Sequence, residues 1–174
     1  MHEAEHAYTP PHNPVTKTIP DAVARYLDGT DLLAKTQALR LSTVDQAGWP
    51  HASLLSAGDM LALPSGRIRF VVFAQSTTTA NLMRDGRLTL TLPIDGGMCE
   101  LRLRAHRLTH ASPDVPLAFF EAELESARMH VAPYAAVTGG ITFALHEPQA
   151  VLPRWQRQIA ALRAAAFDTS SPQG

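Results

Sequence analysis

The stretch RIRFVVFAQSTTTANLMRDGRLTLTL, Arg67 to Leu92, decides how the rest of the chain is read. It opens with the apolar run Ile68 to Phe73, passes through four consecutive hydroxyl residues, Ser76 to Thr79, and continues into Asn81-Leu82-Met83-Arg84. Gly86 stands where a helix C-terminal glycine is common, and Leu88, Leu90 and Leu92 then alternate with polar residues at the period of a half-buried strand. The segment therefore predicts strand, short helix, strand, with the hydroxyls at the hand-over from the first strand to the helix.

Working outward, the preceding residues predict more strands joined by tight turns. Leu39, Leu41 and Thr43 alternate with Arg40 and Ser42. Asp45 and Gly48 suit a turn, and a returning strand over 49–63 breaks near Gly58 before a second turn at Pro64 to Arg67. Downstream, Cys99, Leu101, Leu103 and Ala105 share one strand face, with Glu100, Arg102, Arg104 and His106 on the other. Gly139 to Leu145 reads as one more strand.

Helices are predicted near both ends and in the middle. Pro20, Asp21 and Gly29 frame a short one carrying Val23, Tyr26 and Leu27. Ser112, Pro113 and Asp114 form a helix-start signal, followed by Leu117, Phe120 and Leu124 as an apolar stripe. A closing helix carries Trp155, Ile159, Leu162 and Ala166 at steps of three and four. The expected fold is mainly β with flanking helices (α+β), a split antiparallel β-barrel of about six strands. A doubly wound sheet needs regular strand and helix alternation, which residues 37–73 lack. The expected organisation is a flexible arm over 1–17, a single domain over 18–168 and a polar tail over 169–174.

Composition removes several classes of function. With 15 Lys+Arg against 16 Asp+Glu, the formal charge of -1 gives no footprint for nucleic acid or an anionic membrane. The single Cys99 permits no internal disulfide, points to a reduced, cytoplasmic setting and, on the apolar face of its strand, reads as inert. The first residues lack the basic start and apolar core of a signal peptide, and no apolar run approaches a membrane span. Walker, GxGxxG, HExxH and GxSxG patterns are absent. The eight histidines do not recur at a spacing that places two on one helix face, so no metal site is expected.

The hydroxyl run has two readings. Ser76 can cap the helix by accepting a bond from a free backbone amide. The run can equally present hydroxyls, amides and the positive end of a helix dipole to an anion such as a phosphate. The run alone does not choose between them.

The order of these pieces resembles a known family. STVDQAGWPHASLLS (residues 42–56), then residues 67–92, then CELRLRA (99–105) are similar to the FMN-binding split barrel of the pyridoxamine 5'-phosphate oxidase-like superfamily. The similarity covers residues 37 to about 109. It implies a homodimer with FMN in clefts at the subunit interface, acting as an oxidoreductase on a small molecule. The alternative is a carrier of flavin, deazaflavin or haem without turnover. By position it implies that Ser53, Leu54, Leu55 and Ser56 run along the flavin, with Val72 and Phe73 on the next strand. Ser76, Thr77 and Thr78, ahead of Asn81, fall on the phosphate loop, and Glu100 falls where the oxidases carry a glutamine near the flavin.

Two departures from that pattern bear on charge. The oxidases carry Arg and Lys in the phosphate loop where this chain has Thr77 and Thr78, and an Arg where it has Ser53. Neutral donors bind a phosphate more weakly than ionised ones. Arg67, Arg69, Arg84 and Arg102 are the candidates to supply the charge, with Arg102 favoured. His51 is a candidate proton donor at the flavin edge, and Trp155 reads as a packing residue.

Overall fold

The computed structural model describes residues 10, 11, 13–109 and 116–165. Its strands are β1 (Val15–Thr16), β2 (Leu39–Val44), β3 (Pro50–Leu55), β4 (Met60–Ala62), β5 (Ile68–Phe73), β6 (Arg87–Ile94), β7 (Gly97–Leu108) and β8 (Leu117–His130). The helices are α1 (Asp21–Tyr26), α2 (Thr77–Arg84) and α3 (Pro148–Ala164). Seven strands follow the order β3-β2-β6-β7-β8-β5-β4, and β1 joins the side of β8. Every pairing is antiparallel, and the sheet curls into the split barrel expected from the sequence, with eight strands where about six were expected.

Alternation in the sequence fixes the inner face. Leu39 and Leu41 of β2, Leu88, Leu90 and Leu92 of β6, and Cys99, Leu101 and Leu103 of β7 are all buried in one apolar cluster. Asp95 and Gly96, both at positive φ, make the two-residue turn that sets the β6–β7 register from Ile94↔Gly97 onward. Facing them, β5 and β8 are buried on both faces. Phe70 and Phe120 stack inside the barrel with ring centroids 5.5 Å apart. Val71 and Phe119 pack outward against Trp155, Ile159 and Leu162 of α3. This second apolar layer anchors the closing helix, and Trp155 is a core residue as the sequence implied.

One buried ion pair ties α3 to the sheet. Glu121 of β8 is fully buried and accepts from Arg69 Nε at 2.7 Å and from Arg67 at 2.8 Å. Arg69 also donates to the carbonyls of Leu162 and Ala165, which lie at the end of α3 where carbonyls lack helical partners.

Two expected elements are corrected. The stripe Leu117, Phe120, Leu124 lies on the 14-residue strand β8, not on a helix. A register shift opposite Arg102 and Leu103 leaves Glu125 without a Cα partner, so the inner face passes from Phe120, Ala122 and Leu124 to Ala127 and Met129. Burial of both faces, with Leu117 packed toward α3 and Phe120 and Leu124 toward the barrel core, gives an apolar spacing that imitates a helix. The start signal at 112–114 lies outside the described residues. The expected strand Gly139–Leu145 is extended chain holding only a bridge from Thr142 to Gln37, with Ala38 N donating to Ile141 O and Phe143 N to Thr36 O.

Of the expected arm, Val15 and Thr16 pair with β8, and Lys17 Nζ donates to Glu125 O. Residues 1–9 and 12 of the arm, and the tail over 169–174, lie outside the described residues. Among the described residues no helix is long and apolar enough to cross a membrane.

Candidate functional site

The four hydroxyls take separate tasks. Ser76 caps α2, its Oγ accepting from Thr79 N at 3.1 Å, so the capping reading holds for that residue. Thr79 Oγ1 donates to Phe73 O at 2.7 Å and fastens the helix start to the end of β5. Thr78 Oγ1 donates to Ser53 Oγ at 3.2 Å, joining α2 to β3. Thr77 is exposed. The helix start leaves the amides of Thr77 and Thr78 without acceptors inside the helix, as at any α-helix N-terminus.

These three elements enclose a cavity of about 220 Å³. Ser53, Leu54 and Leu55 form one wall, and Val71, Val72 and Phe73 form another. Ser76 and Thr78 close one part, while Asp59, Leu117, Arg154 and Gln158 complete the lining. The chemistry is an apolar slot with hydroxyl and amide donors at a helix N-terminus, the combination that suits a flat ring bearing an anionic group. At its mouth Leu54 is 52% and Phe73 62% exposed, large apolar surfaces with no cover from this chain.

Seven residues singled out from the sequence therefore converge: Ser53, Leu54, Leu55, Val72, Phe73, Ser76 and Thr78. The others stand apart in this chain. Ser56 is buried in the loop after β3, where Asp59 Oδ2 accepts from both its amide and its hydroxyl. Asn81 is buried and donates from Nδ2 to Thr43 Oγ1 at 2.9 Å. Glu100 and Arg102 pair with each other on the outer face of β7, with His130 Nε2 also 3.2 Å from Glu100. His51, on β3 opposite Thr43, is half-buried and outside the cavity lining.

The cation candidates are all engaged elsewhere in the chain. Arg67 and Arg69 hold Glu121, Arg84 bonds Val44 O and Asn81 Oδ1, and Arg102 holds Glu100. The guanidinium that lines the cavity is Arg154 of α3, which the sequence presented only as a polar residue between apolar positions of the last helix. Its cue is positional: it precedes Trp155, and Trp155 seats over Gly58 beside the cavity. Gln158, one turn on, donates to Gly58 O and Asp59 Oδ1 and locks α3 to the turn before β4.

Cys99 is buried in the barrel, and burial, reinforced by the neighbouring Glu100 carboxylate, pushes its thiol up to about 11. Among the described residues no group of three His, Cys, Asp or Glu side chains is placed to hold a metal ion.

No family model matches the chain. The uncharacterized protein YclD of Bacillus subtilis (strain 168) is 34% identical over 149 residues, covering 82% of this chain and 94% of YclD. Among solved structures, a Lactobacillus delbrueckii protein described as a "putative pyridoxamine 5'-phosphate oxidase" superposes with a TM-score of 0.51 at 13% identity, over 64% of this chain and 94% of that one. HupZ of Group A Streptococcus gives 0.52 at 14% identity, over 70% of this chain and all of its own, 100%. The chain belongs to the family of YclD, and it shares the split-barrel fold of these two solved structures.

Proposed function

We propose that the protein is a cytoplasmic homodimeric flavoprotein that binds FMN in the cleft between β3, β5 and α2 and uses it for oxidation or reduction of a small molecule. The observation that carries this reading is the convergence of Ser53, Val72, Phe73, Ser76 and Thr78 on one cavity at the start of α2. The amides and hydroxyls there fit a phosphate, and the apolar walls fit a ring system. The exposed Leu54 and Phe73 support a second copy closing the mouth, since apolar surface of that size beside a cleft favours burial. Glu100 and Arg102, paired with each other on the outer face of β7, lie outside this cleft.

A bound flavin supplies the electron chemistry. The chain would hold the phosphate at Thr78 and the free amides that open α2, orient the ring along β3 and exclude water with Val72, Phe73 and Leu117. The lining holds no His, Cys or Lys, and Asp59 is bonded to Ser56 and Gln158. This favours a second reading, a flavin, deazaflavin or haem carrier without turnover.

The absorption spectrum of the purified protein, with mass identification of whatever denaturation releases, tests the cofactor. FMN is expected; released deazaflavin or haem supports the carrier. Bleaching by a reduced nicotinamide, followed by recovery with an added acceptor, separates enzyme from carrier.

A further inference from the structure

A second cavity adjoins the first. It encloses about 310 Å³ and shares Leu54, Leu55, Asp59 and Arg154 with the cleft described above. Its own walls are mainly apolar, with Ile141, Phe143 and Leu145 from the extended segment after β8 and Trp155 from α3, joined by Ser56 and Thr142. Phe143 meets Trp155 edge to face, with centroids 6.2 Å apart and an angle of 77°. The segment is fastened to the barrel on either side of this wall by the Ala38–Ile141 and Phe143–Thr36 backbone bonds.

The two charged groups at the junction differ in what they leave free. Asp59 is saturated: Oδ2 accepts from the amide and hydroxyl of Ser56, and Oδ1 from Gln158 Nε2. Arg154, exposed at the junction, makes no hydrogen bond or ion pair among the described residues. A guanidinium with its donors unused, beside an aromatic and aliphatic wall, matches a ligand with a planar apolar body and one anionic acceptor.

We propose that this second cavity is a binding site for a small, planar, apolar molecule carrying a carboxylate or similar anion, held by Arg154 against Phe143 and Trp155. That this molecule is the substrate rests on the flavin reading of the adjoining cleft. The binding itself does not.

The test is calorimetric titration of the purified protein with 2-naphthoate and with uncharged 2-naphthylmethanol, in the presence and absence of excess FMN, with flavin retention measured on the same samples. At least tenfold tighter binding of 2-naphthoate is expected, unchanged by FMN. Arg154→Gln brings the two probes to within twofold, Arg154→Lys restores part of the difference, and Phe143→Ala weakens both. The proposal is overturned if neither probe binds or if FMN displaces 2-naphthoate. It is also overturned if Arg154→Gln leaves the preference intact, if it lowers flavin retention alone, or if Phe143→Ala leaves binding of both unchanged. Intact naphthoate selectivity in a protein that refuses FMN contradicts the flavin reading and leaves this site standing.

Discussion

Thr78 Oγ1 donates to Ser53 Oγ across 3.2 Å, bridging the first turn of α2 to β3 inside the cleft. Ser53 Oγ also lies 3.5 Å from Leu41 O, so β2, β3 and α2 meet at one pair of hydroxyls. Where the resembling oxidases bring cations, this protein has a short neutral link. On the proposed reading, a phosphate in the cleft would therefore be held by hydroxyls and amides rather than by a guanidinium.

Thr78→Ala separates binding from folding. A net hydrogen bond of this kind is worth about 0.5–1.5 kcal/mol, so the melting temperature should fall only modestly. Flavin retention should fall by at least tenfold in equilibrium dialysis. Ser76→Ala should instead act mainly on stability, by about 1 kcal/mol for a lost helix cap. Equal retention of flavin by Thr78→Ala and the unaltered protein would falsify the assignment of that hydroxyl.

Gly58 is the position at which α3 presses hardest on the sheet. A Cβ there would lie 2.1 Å from Trp155 Cγ, with two more indole carbons within 2.4 Å. Trp155 is 3% exposed and has no room to withdraw without disturbing α3. Gly58→Ala is expected to cost about 1–3 kcal/mol as an overpacking substitution, measured by urea unfolding. Gly139→Ala, with nothing within 4 Å of the added carbon, is the neutral control.

The Arg69–Glu121 pair makes a sharper demand. Removing one partner of a buried pair costs about 3–5 kcal/mol, because the other charge is left without compensation. Glu121→Gln should approach that range in chemical denaturation. Arg69→Met should also free the carbonyls of Leu162 and Ala165 and raise amide exchange in the last turn of α3. Exchange there that matches the unaltered protein would remove the role given to Arg69.

Cys99 gives a prediction with a pH sign. Its thiol lies at about 11 in the fold against an ordinary 9.0, raised by burial and by Glu100. The folded state keeps a proton that the unfolded chain loses between those values, so this group's contribution to stability is intact below pH 9.0 and declines as pH rises toward about 11. Iodoacetamide at pH 8 should leave Cys99 unmodified in the native protein and label it fully in urea. Rapid native labelling would contradict its burial.

Much of the barrel was legible because β2, β6 and β7 bury one face and expose the other, so Leu41, Leu90 and Leu101 recur at strand period. β8 was not, since α3 covers one of its faces and the barrel core the other, and the unpaired Glu125 shifts the register. Local periodicity carries no record of which second layer will cover a strand. The segment 139–145 misled in the opposite sense: its apolar residues alternate, yet only a single bridge forms. The Ser76 end of the cleft was visible as a local pattern, and the Ser53 end came from the family resemblance. Arg154 was not, because its place depends on how α3 docks through Trp155, Ile159 and Leu162, a tertiary fact that helical spacing alone does not convey.

The central claim is tested most directly by titrating flavin-free protein with FMN while following flavin fluorescence and the sedimentation of the protein. Saturation at one FMN per chain on a two-chain particle, with Thr78→Ala weakening it at least tenfold, is the expected result. A monomer showing no saturable uptake at any concentration tried contradicts the account.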